Sequence, residues 1–386
     1  MKKQSLAVVT LALGLLVLSG CGKKQTSNQD KVFKTTAQAN VITVDPNRAT
    51  DVGSYLAINQ VLEGLYKQNN QGKIVPSVAT KIVKPTNHGK TYTFTLRKTA
   101  KWNDGKRVTA YDFVNSARRQ VEPKTKSQRA GHLSDLVNYT KVNTGKLTPK
   151  RLGIKALGND KLQINLSHAV PYYNYVIATQ IYPIETSALA KWGNQYGQDS
   201  SHAVSDGAYQ IRNWNSSKDT WNLVTNPKYY DAKRVAIKKI HFQVVGSPQT
   251  SFKLFQSGSV DETQISGSWV NNARKQFKNE LKIRQYGQLA FIPWNNYDKT
   301  TRNLNLRRAI SYAINRKQLA KHVLNDGSTP AQSVVPEGEV KDASGKDFNA
   351  GVTHKLTYNL ATAKKYFARA QQQLCLLYTS PSPRDT

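Results

Sequence analysis

Cysteine is nearly absent from this 386-residue chain, which has Cys21 and Cys375 and no cysteine between them. A body without a cysteine pair is not held together by disulfides, so the fold must depend on buried apolar surface. The length suits two or three domains, and a hydrophobic content of 38% is sufficient to build cores. These features exclude a small disulfide scaffold and a wholly disordered chain.

Acidic residues are also scarce, with 24 Asp and Glu against 56 Lys and Arg, which gives a net charge of +32. The basic residues are scattered and form no stripe with interleaved aromatics, so we expect no nucleic-acid partner. For a surface protein the nearer polyanions are lipid head groups and cell-wall polymers. The charge therefore predicts a solvated cationic surface suited to an anionic envelope.

Motifs of catalysis and metal binding are missing as well. The seven His residues form no i, i+4 pair and have no cysteine neighbour, so no metal signature is present. The adjacent carboxylates Asp261 and Glu262 would point to opposite faces of a strand, which disfavours an acid/base pair. We expect a protein that is not an enzyme and uses no cofactor and no metal, although a catalytic triad need not leave a sequence motif.

No apolar run is long enough to span a bilayer, which takes about 20 residues. The run from Leu6 to Leu18 follows Met1-Lys2-Lys3 and precedes small residues, which predicts a signal peptide over residues 1–20. Leu18-Ser19-Gly20-Cys21 resembles the lipobox of bacterial lipoproteins. That resemblance implies a diacylglycerol anchor on Cys21 and a flexible tether over residues 21–31. The alternative is a cleaved signal with an incidental cysteine.

Strand and helix patterns alternate along the rest of the chain. Period-two alternation predicts strands through Tyr92, Phe94 and Leu96, through Leu162, Ile164 and Leu166, and through Ile240, Phe242 and Val244. Helices are predicted after Thr109, which has Asp112 three residues later, over Leu306–Ile314, after Asn315, and over Ala361–Leu374. Residues 103–106 predict a turn. Mixed strands and helices over this length indicate an α/β or α+β fold.

The last twelve residues, 375–386, follow the final predicted helix without a cap or a glycine stop and contain a Ser-Pro repeat. Our hypothesis is that they are translated adapter or vector sequence appended to a truncated reading frame. The alternative is a natural disordered terminus.

Nine segments resemble, in order and spacing from about Val32 to Leu374, the oligopeptide-binding lipoproteins of ABC importers, which are bacterial extracellular solute-binding proteins of family 5. They are Thr43-Val44-Asp45-Pro46, residues 61–66, 90–97, 101–105 and 108–113, Ser205-Asp206-Gly207-Ala208-Tyr209, and residues 226–231, 255–261 and 306–314. Most of these residues are of the kind that hold a fold together, so the resemblance identifies the family more directly than it identifies a site.

The resemblance implies an α/β fold, a two-lobed periplasmic-binding-protein-like clamshell with an additional domain. Lobe I would comprise residues 32–75 and 181–285, with the additional domain inserted over residues 76–180. Lobe II would begin at Tyr286 and run to Leu374, where it is incomplete. In the family, the continuation of lobe II contains the acidic group that pairs with the peptide's amino terminus, and no residue here can be assigned that role.

The resemblance also implies ligand contacts. Thr50, Asp51 and Val52 would present backbone groups to the ligand, and Trp294 and Asn295, on the first strand of lobe II, would face them. A second wall would come from Thr263, Gln264, Ile265 and Ser266. Where relatives often have tyrosines, in residues 128–133, this chain has Arg129 and His132, which favours acidic side chains in the ligand.

The implied function is capture of extracellular oligopeptides in an interlobe cleft, mainly through the peptide backbone, and delivery to an ABC transporter permease. The protein would be a monomer, lipid-anchored on the extracytoplasmic face of the bacterial cell membrane. The same fold also binds dipeptides, nickel complexes or sugars, and a cationic envelope-binding surface protein is a further alternative. A hydrolase has no motif in its favour.

Overall fold

The computed structural model describes residues 31–284, 287–340, 344–352 and 357–374. The predicted signal peptide, Cys21, the tether up to residue 30 and the tail over residues 375–386 lie outside the described residues. The chain divides into two compact units. Unit 1 comprises residues up to 246 and 254–263, and unit 2 comprises residues 247–253 and those from 264 onward. The boundaries predicted for the lobes and the additional domain stay predictions.

The strands all belong to the first 246 residues. They are β1 (Val32–Ala37), β2 (Tyr66–Gln68), β3 (Ile74–Pro76), β4 (Thr91–Thr95), β5 (Ile154–Ala156), β6 (Lys161–Asn165), β7 (Tyr209–Arg212), β8 (Thr220–Thr225) and β9 (Lys239–Val244). The α-helices are α1 (Val52–Val61), α2 (Ala110–Val121), α3 (Tyr139–Asn143), α4 (Tyr173–Gln180), α5 (Thr186–Trp192), α6 (Pro248–Gln256), α7 (Trp269–Gln276), α8 (Leu304–Ala313), α9 (Arg316–Gln318) and α10 (Leu360–Leu374).

Unit 1 is built on three sheets. The largest has the order β1-β9-β8-β7, in which β1 is parallel to β9 and the other pairs are antiparallel. A second sheet, of order β4-β6-β5, is antiparallel throughout, and α2 packs against β5 and β6. The short pair β2-β3 packs against α4. Strands β1 and β9 form the parallel pair, in which Val32 is opposite Lys239, 207 residues later in the sequence. This pair connects the beginning of unit 1 with a late part of it.

Local patterns predicted these elements well. Tyr92, Phe94 and Leu96 are buried on one face of β4, as their alternation predicts. The carboxylate of Asp112 accepts hydrogen bonds from the Thr109 N–H at 2.8 Å and from its hydroxyl at 3.1 Å, which fixes the start of α2. The strand predictions around residues 162–166 and 240–244, and the turn at residues 103–106, are confirmed.

The main core lies in unit 1 and is rich in aromatic residues. Trp221 stacks on Phe242 with ring centroids 5.0 Å apart, and Tyr66 meets Phe94 edge-on at 5.8 Å. Trp221, Tyr66 and Phe94 are each exposed by no more than 1%. Burial of such side chains contributes about 25 cal/mol per Å² of apolar surface and dominates the stability of this unit.

Unit 2 is helical over its described residues, with no strand among them. Phe252 packs between Trp269 and Phe277, at centroid distances of 5.2 and 5.8 Å. Helices α8 and α10 pack together, with Tyr312 stacked on Tyr366 at 5.8 Å. The helices predicted over residues 306–314, after Asn315 and over residues 361–374 are confirmed, and the Asn315 side chain accepts from the Gln318 N–H at 3.0 Å. In the described ranges, no helix combines the length and apolar character that a membrane crossing requires.

Candidate functional site

The segment from Thr50 to Val52 enters α1 on the surface of unit 1. The Asp51 side chain caps the helix by accepting from the Ser54 N–H at 2.7 Å. Thr50 is exposed and Val52 is 81% exposed. Neither the N–H nor the C=O of Thr50, nor the N–H of Val52, has a hydrogen-bond partner among the described residues. This segment therefore presents unpaired backbone groups to solvent.

Two glycines hold that segment in place. Gly53 lies so close to the backbone of Asn40 that a Cβ would overlap the Asn40 carbonyl oxygen. Gly197 has a φ of +73°, and a Cβ there would lie 2.5 Å from the Asp45 backbone nitrogen. The close approaches require residues without side chains, since any Cβ must displace backbone. They fix the chain that leads from β1 into α1.

A buried ion pair lies just before the segment. Asp45 is fully buried, and the Arg119 guanidinium of α2 binds its two carboxylate oxygens at 2.8 and 2.7 Å. Arg119 also donates to the Asn47 side-chain oxygen at 2.9 Å. A bidentate pair of this kind sets both distance and orientation. It joins the chain before Thr50 to α2. Arg129 follows α2 in the sequence by eight residues.

Arg129 lies beside α1. Its guanidinium carbon is 4.4 Å from the centroid of the Tyr55 ring, and it donates to the Gln180 side-chain oxygen at the end of α4. Two residues further, the Tyr182 hydroxyl donates to the Asn59 side chain of α1 at 2.8 Å. We call the surface formed by Thr50–Val52, Tyr55, Arg129 and Gln180 the Arg129 surface.

Two pKa values are shifted at the Arg129 surface, mainly by burial. Burial raises the pKa of Tyr55 to about 12, while the Arg129 charge opposes that rise. The Tyr55 hydroxyl is buried and has no hydrogen-bond partner in the described part of the chain. Burial, together with the charge of Arg129, lowers the pKa of His132, so this exposed imidazole is neutral at pH 7.

The structure thus brings together five of the predicted ligand residues. Asp51, in the Thr50–Val52 segment, and Arg129 both act on the pKa of Tyr55, and Arg129 also acts on that of His132. Sequence reasoning missed Tyr55, although it follows Asp51 by one helical turn. Gln180 and Tyr182 lie well over 100 residues from α1 in the sequence and gave no local signal.

The predicted second wall divides between the units. The Thr263 hydroxyl lies 2.6 Å from that of Thr36 on β1, so this residue lies against the main sheet of unit 1. Gln264, Ile265 and Ser266 belong to unit 2 and have no regular secondary structure. Their contact with a ligand stays a prediction.

The prediction that Trp294 and Asn295 lie on a strand is wrong. Residues 288–295 have no regular structure, and unit 2 offers no strand to pair with them among its described residues. The Asn295 side-chain oxygen instead accepts from the Tyr297 N–H at 3.0 Å, a local turn that competes with strand pairing. Trp294 is half-buried and Asn295 is exposed.

Other candidate sites are weaker. Within the described ranges, no group of three His, Cys, Asp or Glu residues could hold a metal ion. Unit 2 has a hollow of about 210 Å³, lined by residues from 288–289, 329–337 and 347–350, which contains none of the predicted ligand residues. The Arg129 surface is therefore the candidate site with the most support.

The mixed α/β fold is of the periplasmic-binding-protein type, the fold class that the sequence predicts, and solved structures of that type are similar to it. The family of bacterial extracellular solute-binding proteins, family 5, matches residues 73–374. The chain belongs to this family.

Named relatives agree with this assignment. The chain is 30% identical over 386 residues to a dipeptide-binding protein of Lactococcus lactis, with 96% of this chain and 69% of the relative covered. The structure of the pheromone receptor PrgZ, described with its mode of peptide binding, is similar with a TM-score of 0.81 and 32% identity, covering 89% of this chain and 68% of that one. Listeria monocytogenes OppA bound to peptide gives a TM-score of 0.75 and 28% identity, covering 89% and 68%.

Proposed function

We propose that this chain is the substrate-binding lipoprotein of an ABC importer and that it captures extracellular oligopeptides for delivery to the permease. The family and the dipeptide- and oligopeptide-binding proteins among its relatives support a peptide as the ligand. Binding and release require no chemistry, so the protein acts without catalysis or cofactor.

The observation that carries the proposal is the unpaired backbone of Thr50 and Val52, exposed at the start of the helix whose Tyr55 ring contacts Arg129. A peptide offers one N–H and one C=O per residue whatever its sequence. A protein segment that pairs with this backbone gains affinity with little dependence on side chains. We therefore expect broad acceptance of peptides, with the backbone as the shared determinant.

The test uses the full chain and two matched peptide pools. One pool contains ordinary mixed pentapeptides, and the other has the same side chains with N-methylated amides, which remove the backbone donors. A hundredfold excess over the dissociation constant should stabilise the protein by about 2.7 kcal/mol with the ordinary pool. The N-methylated pool should give much less. No stabilisation by any ordinary peptide would refute the proposal.

Membrane attachment is proposed from the sequence around Cys21. Replacing Cys21 with Ser should move the protein from the membrane fraction to the medium or periplasm and abolish incorporation of labelled fatty acid. Incorporation that persists in the Cys21→Ser variant would contradict the lipoprotein assignment.

A second candidate function is adhesion to anionic envelope polymers. Residues 136–159 contain five basic residues and no acidic one, and Arg118 of α2 donates to the Lys150 carbonyl at 3.2 Å, which adds a further cation to this face. Such binding depends on exposed charges and should weaken steeply between 50 and 300 mM salt, roughly the range in which the Debye length falls below 10 Å. Peptide binding should change little over that range.

A further inference from the structure

Arg129 is the cation at the centre of the Arg129 surface, and it has no carboxylate partner. Its guanidinium lies against the Tyr55 ring and makes one side-chain hydrogen bond, to Gln180. Among the described residues it forms no ion pair. Arg129 is half-buried, so part of its hydration has already been removed.

Arg119 provides the comparison within the same unit. It is also largely buried, at 14% side-chain exposure, and Asp45 neutralises it through two hydrogen bonds. A partly buried guanidinium is stabilised when a carboxylate occupies its fork of N–H donors. Arg129 has the setting of Arg119 without the carboxylate.

The two carboxylates whose charges act on Tyr55, the ring that Arg129 covers, are engaged elsewhere. Asp51 caps α1 through the Ser54 N–H, and Asp45 binds Arg119. His132 contributes no charge near neutral pH, because burial and Arg129 lower its pKa. The remaining positive charge lies over the ring of Tyr55, whose N–H donates to the Asp51 carbonyl between Thr50 and Val52.

The orientation of Arg129 is set before any ligand arrives. The Tyr55 ring covers one face of the guanidinium, and Gln180 holds one of its N–H groups. A side chain that is already ordered loses less conformational entropy when it binds. The planar fork then suits two oxygens in one plane, the geometry of a carboxylate.

We propose that Arg129 is a specificity-determining residue that binds an acidic side chain, Asp or Glu, of a bound peptide. This inference depends on the proposed peptide-binding function, to which it adds a preference at one ligand position. The backbone contacts give general affinity, and Arg129 selects among peptides by charge.

The experiment measures calorimetric affinities of the full chain for pentapeptides of alanine that carry Glu or the isosteric Gln at each position in turn. At one position, Glu should bind about tenfold more tightly than Gln, the scale of one charge-assisted hydrogen-bonded pair. At the other positions the two should bind alike. Arg129→Met should bring the ratio of Glu to Gln affinity at the selective position close to one.

Arg118→Met is the matched control, since Arg118 is another partly buried arginine of unit 1 that donates to a backbone carbonyl. It should leave the Glu/Gln ratio unchanged. Arg129→Lys keeps the charge but not the fork, and an intermediate ratio is expected. Arg129→Lys replaces Arg129→Met in the test if circular dichroism shows that the methionine variant is unfolded.

The outcomes separate the two proposals. Peptide binding without a Glu preference at any position overturns the role of Arg129 and leaves the proposed function intact. A Glu preference that survives Arg129→Met also overturns it, because another group then supplies the charge. Failure of every peptide to bind refutes the proposed function and this inference together.

Discussion

Unit 1 and unit 2 bury different kinds of side chain. Unit 1 encloses large aromatic residues, with Trp102, Trp221 and Tyr173 each exposed by 1% or less. The buried hydrophobic residues of unit 2, within the described ranges, are mostly alanine, and Phe252 is the largest of them. Large apolar side chains of unit 2 are instead exposed, among them Phe291 at 72% and Tyr297 at 99%.

The difference indicates where the stability of this chain originates. Burial of apolar area is the main favourable term in folding. In unit 1, apolar side chains are buried on the faces of its sheets. The described part of unit 2 relies on helix caps, on the aromatic cluster around Phe252 and on the stacked pair Tyr312 and Tyr366. A single buried substitution in unit 1 should therefore affect stability far more than a substitution of similar size in unit 2.

The largest effect is expected from Trp221→Ala. The side chain is 1% exposed and stacks on Phe242, so its loss leaves a cavity and should lower the free energy of unfolding by about 3–5 kcal/mol. Tyr297→Ala in unit 2 removes an exposed ring and should change it by less than about 0.5 kcal/mol. Urea denaturation followed by far-ultraviolet circular dichroism measures both, and equal losses would contradict the comparison.

A second contrast concerns carboxyl groups. Asp206 of unit 1 is 2% exposed, accepts from the Glu63 N–H at 3.0 Å, and has a second oxygen without a partner in the described structure. Burial, with repulsion from Glu63 and Asp112, raises the pKa of Asp206 well above its usual value. In unit 2, hydrogen bonds from Ser328 lower the pKa of Asp326.

The two shifts predict opposite pH dependence. Folded Asp206 keeps its proton where the unfolded chain has lost it, so wild-type stability falls as pH rises above about 4. The Asn side chain of Asp206→Asn does not titrate, so this variant loses no stability in this way. As pH rises, its free energy of unfolding relative to wild type should increase by up to about 1.4 kcal/mol per pH unit. In wild type, ionised Asp326 adds to the free energy of unfolding as pH rises to about 4. Asp326→Asn lacks this contribution, so it should become less stable than wild type over that range. Denaturation at six pH values between about 2.5 and 7.5 tests both, since the Asp326 contribution is gained below about pH 4. Parallel curves for wild type and Asp206→Asn would show that Asp206 ionises normally.

The sequence predicted what depends on neighbours in the chain. The alternation at Tyr92 and Phe94 and the caps at Thr109 and Asn315 are local signals, and each of these elements is confirmed. The strand at Trp294 was predicted from the family and is wrong, because a strand also needs a partner.

The candidate site was predictable only in part. The exposed entry to α1 and the cation at position 129 were expected, but the ring that orients Arg129 lies 74 residues away in sequence. Gln180, its hydrogen-bond partner, lies 51 residues away. Contacts at such separations follow from the packing of α1, α2 and α4, for which no local pattern exists.

The last test concerns unit 2 alone, and a small effect is expected at the start of α8. The Asn303 side-chain oxygen accepts from the Leu306 N–H at 3.0 Å, and its amide donates to Gln373 of α10 at 3.0 Å. Asn305 donates to the same Gln373 oxygen at 2.9 Å but caps nothing. Asn303→Ala should cost about 1 kcal/mol, as loss of an N-cap does, and Asn305→Ala should cost less.

The difference between the two variants isolates the cap, because both remove one bond to Gln373. Asn303→Ser restores a capping oxygen and should recover most of the loss. Amide hydrogen exchange in α8 is the measurement, since a cap acts on the first turn of its own helix. If both alanine variants speed exchange equally, the helix pair depends on Gln373, and unit 2 is held by contacts between helices more than by their caps.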